Sequence, residues 1–127
     1  MIEPMVMAAG IYNLAFAGFH LAFWRLFGWR REIARMSPVN AAILQVLNLC
    51  LTLVFVLAGA VCLLYSGDLV GTDLGHFLLF AMGGFWLFRL VLQPMYFGLG
   101  HPASRLITVV FAAGTVLHFG VWLAAAR

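Results

Sequence analysis

Arg89 stands inside the apolar stretch 74–99. A guanidinium within a membrane span costs about 2.5–3.5 kcal/mol on insertion scales, so something must compensate it. The chain has four carboxylates, Glu3, Glu32, Asp68 and Asp73, and all of them fall at the ends of apolar stretches or between them. An unpaired cation in that position suits an anionic or strongly polar ligand. Gln93 follows one helical turn later, and Gln45, Asn48 and His20 lie at a similar depth on other stretches. The competing reading is structural. Arg89 then bonds the Leu90 carbonyl freed by Pro94, bonds an amide such as Gln45, or reaches to the headgroups.

His20 is the one proton carrier at that depth, a role histidine takes often in catalysis; a lone histidine in a membrane also serves as a hydrogen-bonding strut. A second, thinner polar group, Asn13, His118, Asp73 and His76, belongs toward the other side of the membrane. His20 and His118 differ in depth by roughly 12 Å at 1.5 Å per residue, too far apart to ligate one haem iron. No two histidines share a local zinc-ligand spacing, so neither metal nor cofactor is expected. All seven basic residues are arginine, and without lysine Schiff-base chemistry is excluded. A serine triad lacks its acid, and proton-driven export lacks its membrane carboxylate. Cys50 and Cys62 are twelve residues apart on one expected helix, about 18 Å along its axis, which rules out a disulfide between them.

The elements that must carry these residues are membrane helices. Of 127 residues 65% are hydrophobic and only 9% charged, and a soluble chain this short has too little interior to bury such a surface. The expected fold is all-α, a four-transmembrane-helix bundle in a single domain, with spans near 5–24, 39–65, 74–99 and 106–126, each long enough to cross a bilayer. Pro4, Pro38 and Pro102 precede or open helices, where proline is tolerated. The start Met1-Ile2-Glu3-Pro4 carries its positive charge after the apolar stretch, so it reads as a retained first helix and not a cleaved signal.

Arg25, Arg30, Arg31 and Arg35 share the first loop, Arg105 sits in the third, and the second holds Asp68 and Asp73 without a base. The positive-inside rule then places the first loop in the cytoplasm and both termini outside. Trp24 and Trp29 fall where an interfacial belt belongs. The net charge of +3 is clustered in that loop, with no extended basic face for nucleic acid.

Positions three, four and seven apart share a helix face. Asn13, Ala17 and His20 do so in the first span, and Gln45, Asn48, Thr52, Gly59 and Cys62 in the second, with Asn40 near its start. Trp86, Arg89, Gln93 and Tyr96 line up in the third, and Ser104, Thr108, Thr115, His118 and Trp122 in the fourth. Lipid rejects such stripes, so they should meet inside the bundle or at a subunit contact. Gly83-Gly84 and the Gly120/Ala124 pair suit close packing in either setting.

Four spans, Arg30, Arg31 and Arg35 after the first and an arginine in the third give a layout that resembles the glutathione-using membrane enzymes of eicosanoid metabolism. Those proteins carry an asparagine followed closely by glutamate in the second helix. Here Asn40 is followed by Ala-Ala-Ile-Leu-Gln, so the resemblance is one of architecture and implies no activity.

The expected function is binding of a lipophilic ligand with a polar or anionic head in a cytoplasm-facing pocket of the bundle, at Arg89, Gln93, His20, Asn48 and Gln45. Whether the ligand is also transformed is left open by the residues. The alternatives are an accessory subunit, whose stripes are glue and whose partners are other membrane proteins, and a homo-oligomer conducting a small solute. In all three the bilayer is the surrounding partner.

Overall fold

The computed structural model describes residues 2–127, which form seven helices: α1 (Glu3–Leu21), α2 (Phe23–Leu26), α3 (Trp29–Ala34), α4 (Pro38–Leu64), α5 (Ser66–Gly71), α6 (Asp73–Phe97) and α7 (Pro102–Ala125). Four of them, α1, α4, α6 and α7, are long and apolar enough to cross a membrane. The fold is therefore the expected all-α four-helix membrane bundle.

The boundaries follow capping chemistry more closely than hydropathy. Each helix start leaves backbone N–H groups that its own helix cannot satisfy. The Ser37 side chain accepts from the Asn40 N–H at the start of α4, Thr72 from Gly75 at α6, and His101 from Ala103 at α7. The His101 cap and the proline behind it start α7 at Pro102, four residues before the expected 106, so Arg105 lies in its first turn rather than in a loop. At the other end of the sequence, α1 stops at Leu21 and not near residue 24. The arginine-rich segment that follows is two short helices hinged at Gly28, which takes the left-handed φ of +59°.

α1 packs along α4, α6 packs along α7, and α1 joins the two hairpins by lying against α7. The α1–α4 crossing is close because glycines face each other there. A Cβ on Gly59 would stand 3.0 Å from the Gly10 carbonyl oxygen and 2.6 Å from Leu14 Cγ. Gly114 plays the same part between α7 and α1, leaving room for Tyr12, whose hydroxyl donates to the Val110 carbonyl oxygen at 2.8 Å. Gly83 faces the Phe119 ring and Gly120 faces Met5, so both small-residue sites are used within the bundle.

α4 and α6 do not pack backbone to backbone. They meet through side chains, with Phe55 against Phe85 and Trp86 and Cys62 against Met82. Two core layers result. Val6, Ala9, Cys62, Leu69, Leu79 and Val121 fill the end that holds the termini. Phe16, Ala17, Phe55, Trp86 and Phe111 fill the half toward the arginines, with the Trp86 ring 4.6 Å from Phe16, 5.4 Å from Phe55 and 5.9 Å from Phe111. The remaining faces expose Leu, Val, Phe and Met side chains, as a lipid-facing surface does.

Candidate functional site

The polar stripes turn inward, and their hydrogen bonds sort them into struts and open groups. The buried pair is Asn13 and His118. Asn13 Nδ2 donates to the Ala9 carbonyl oxygen at 2.8 Å and to His118 Nε2 at 2.9 Å, while His118 Nδ1 lies 2.6 Å from the Gly114 carbonyl oxygen. A carbonyl oxygen can only accept, so Nδ1 carries the hydrogen and Nε2 is the acceptor. Both ring nitrogens are used, and His118 is a complete interhelical strut between α1 and α7.

His20 differs by one open nitrogen. Asn48 Nδ2 donates to the His20 carbonyl oxygen at 3.1 Å, which turns Asn48 Oδ1 toward His20 Nδ1 at 2.8 Å. Oδ1 is an acceptor, so Nδ1 carries the hydrogen. Nε2 is left as a bare acceptor with no protein partner on a half-buried ring. The ring is steadied by Phe23 at 4.3 Å and Phe55 at 5.2 Å.

Arg89 lies within electrostatic reach of that ring. Its guanidinium carbon sits 4.4 Å from the centroid of Phe111 and 5.8 Å from that of Phe97. Among the described residues it has no carboxylate partner and no hydrogen-bond acceptor, and no ion pair forms anywhere. A cation over an aromatic face recovers about 0.5–2 kcal/mol, less than the insertion cost of about 2.5–3.5 kcal/mol. The Phe111 ring thus offsets the charge in part, and the five donor hydrogens of this half-buried group make no hydrogen bond to the described residues.

Gln93, one turn beyond Arg89, is buried and half-satisfied. Ser104 Oγ donates to the Gly98 carbonyl oxygen, so it can only accept from Gln93 Nε2, which it does at 3.1 Å. That fixes the amide orientation and leaves Gln93 Oε1 buried without a partner.

Of the residues expected at this depth, His20 and Asn48 are bonded to each other, and Arg89 lies near them. Gln93 turns toward α7, and Gln45 folds back to donate to the Ala41 carbonyl oxygen of its own helix. In the second group only Asn13 and His118 meet. Asp73 is exposed at the start of α6, and His76 Nε2 bonds the Val70 carbonyl oxygen at 2.8 Å. Asp73 and His76 therefore form no cluster with the buried pair, because the Thr72 cap fixes them at the helix end. Tyr96 and Asn40, both placed on inward stripes by spacing, are exposed. Two surface hollows, of about 280 Å³ beside Tyr65 and Asp68 and about 310 Å³ beside Ile43 and Leu47, touch none of His20, Asn48, Arg89 or Gln93. Among the described residues no three His, Cys, Asp or Glu side chains converge as a metal site would need.

Sequence reasoning missed the aromatic contribution. Phe111, which carries the Arg89 charge, and Phe55, which backs His20, are apolar residues in apolar helices. Their i±3 and i±4 relation to Thr108, Thr115 and Thr52 was the one signal that could have found them. Comparison of the chain with family models, with curated proteins and with solved structures finds no match of any of the three kinds.

Proposed function

We propose that this membrane protein binds a lipophilic molecule with an anionic head at the arginine-rich mouth of its bundle, between α4 and α6. The head sits beside the Arg89 guanidinium, and the tail lies along the apolar faces that flank the mouth. The observation that carries this reading is Arg89 itself, a half-buried cation with an aromatic backing and no protein acceptor. The seam between α4 and α6 is closed mainly by side chains, Phe55 against Phe85 and Trp86, whose rotation would admit the tail from the bilayer. His20 Nε2, held open by Asn48, accepts a hydrogen bond from the head or takes a proton from it. The arginine-bearing loops face the cytoplasm in this reading, as the charge bias of the loops favours, and both termini face outward.

The test is ligand retention. Protein extracted gently from membrane is examined by native mass spectrometry, with Arg89→Gln beside it. Wild type retains an acidic lipophile and Arg89→Gln loses most of it; equal retention in a correctly folded Arg89→Gln variant refutes the reading.

A second reading has its own support. The interior beneath the mouth is filled by Phe16, Phe55, Trp86 and Phe111, as suits an accessory subunit that acts through its outer surface. It predicts a stable complex with another membrane protein and no acidic lipophile at Arg89.

A further inference from the structure

The segment between α1 and α4 carries its own feature, independent of Arg89. Phe19, Phe23, Phe27 and Trp29 form a run of ring contacts at 4.9, 4.9 and 5.5 Å that ties α2 and α3 beneath the end of α1. Phe19, Phe23 and Trp29 are half-buried in this run, while Trp24, Leu26 and Phe27 are each 43–58% exposed. Beside them Arg25, Arg30, Arg31 and Arg35 are all exposed, and none pairs with Glu32 or any other carboxylate among the described residues. Water does not favour the exposed rings and leucine, and the hydrocarbon core rejects the guanidiniums. The layer that accommodates both is the headgroup plane, where amphipathic segments with aromatic and basic residues lie flat. Arg105 adds a fifth unpaired cation at the same end, in the first turn of α7, where the helix dipole opposes it and only an external anion compensates. That end of the molecule has five arginines and one acid, and the other has one arginine and three acids.

We infer that α2 and α3 form an in-plane collar that binds the phosphate groups of anionic glycerophospholipids, selecting them over zwitterionic ones. The guanidinium fork matches a phosphate in two-point geometry. In a phosphatidylcholine headgroup the choline cation opposes that contact; in phosphatidylglycerol nothing does. The occupant is a lipid and not a free anion, because the cations are interleaved with Trp24, Leu26 and Phe27, which need acyl and interfacial contact.

The test uses the full chain reconstituted in bilayers of equal phosphatidylglycerol and phosphatidylcholine, followed by native mass spectrometry of the lipids that stay bound. Wild type retains phosphatidylglycerol in excess. Each arginine near an anionic surface is worth about fivefold in attraction, so Arg30→Gln and Arg31→Gln each lower the excess several-fold, and each leaves enough basic residues in the segment to orient the chain. Arg127→Gln at the opposite end leaves it unchanged. Arg30→Gln and Arg31→Gln lower the excess in an Arg89→Gln background as well, which separates this proposal from the ligand at the mouth. Equal retention of the two lipids by wild type overturns the proposal, and so does an excess that survives Arg30→Gln and Arg31→Gln. Abolition of the excess by inorganic phosphate overturns it as well, since the site then takes a soluble anion.

Discussion

Asn13, His118, His20, Asn48 and Gln93 separate by what remains unbonded on each. The Asn13–His118 contact is complete and buried, so it holds α1 to α7 and has nothing left for a ligand. Interhelical hydrogen bonds in membranes contribute about 0.6 kcal/mol on average and up to about 1.7. A double-mutant cycle of Asn13→Ala and His118→Ala, followed by unfolding in mixed micelles, should give a coupling near the top of that range, because both side chains are buried; additive effects would break the strut. Gln93 makes a contrasting case. Its Oε1 lacks a partner, and an unsatisfied buried acceptor costs about 1–3 kcal/mol. Gln93→Leu removes that cost along with one hydrogen bond, so it should change stability by less than about 1 kcal/mol, while Asn13→Leu should destabilise clearly. If the Gln93 substitution proves the more damaging, Oε1 has a partner of its own. Much of this was legible in the sequence, because polar residues are rare in apolar helices and their spacing shows. The sequence did not distinguish a strut from an open group: His20 and His118 look alike until the geometry shows two used nitrogens on one ring and one on the other.

The helices are placed by caps and glycines, and here spacing alone ran short. α1 and α4 approach at Gly10 and Gly59, where a Cβ would meet Leu14 and backbone, whereas Gly18 and Gly84 face open space. Gly59→Val should destabilise by about 1–3 kcal/mol through overpacking. Gly84→Ala should be neutral or slightly stabilising. The same unfolding assay reads both, and equal effects would mean that the crossing is looser than the structure has it. Gly114→Ala should be costly too, since its Cβ would collide with the Tyr12 hydroxyl and displace it from the Val110 carbonyl. Neither α2–α3 nor α5 was legible as helix. The first pair interleaves arginine with aromatics in no clean period, and the six residues of α5 are too few to show one. The helix ends shifted for the same reason. A cap such as His101 is a single residue whose effect on geometry outweighs the average hydropathy around it.

The whole molecule has an apolar core crossed by a few buried polar contacts, an apolar outer surface and one basic end. Each of the four long helices turns at least one polar side chain inward (Asn13, Asn48, Gln93 and His118 among them), and that arrangement follows from the bilayer, which offers no partner to an amide or an imidazole. The loops' charge bias gives an orientation that can be checked directly. With both native cysteines replaced, single cysteines at Met36 and Gly71 should label from opposite sides, Met36 from the cytoplasm and Gly71 from outside; the reverse pattern would put the mouth at Arg89 on the outer side. The fold was readable because membrane spans need only length and apolarity. The candidate site was partly readable, since Arg89, His20 and Asn48 stand out by type, but the Phe111 ring beneath the guanidinium arises from packing between side chains on different helices. In the proposed function Arg89 is unpaired within the chain because its partner is an anionic head. The most direct measurement is a density map of the protein in native lipid, resolved well enough to show side chains. A bound anionic lipophile gives a headgroup-sized density within hydrogen-bonding distance of the Arg89 guanidinium and continuous with a tail between α4 and α6. A guanidinium bonded only to backbone carbonyls, or extended into the headgroup plane with no density beside it, would contradict it.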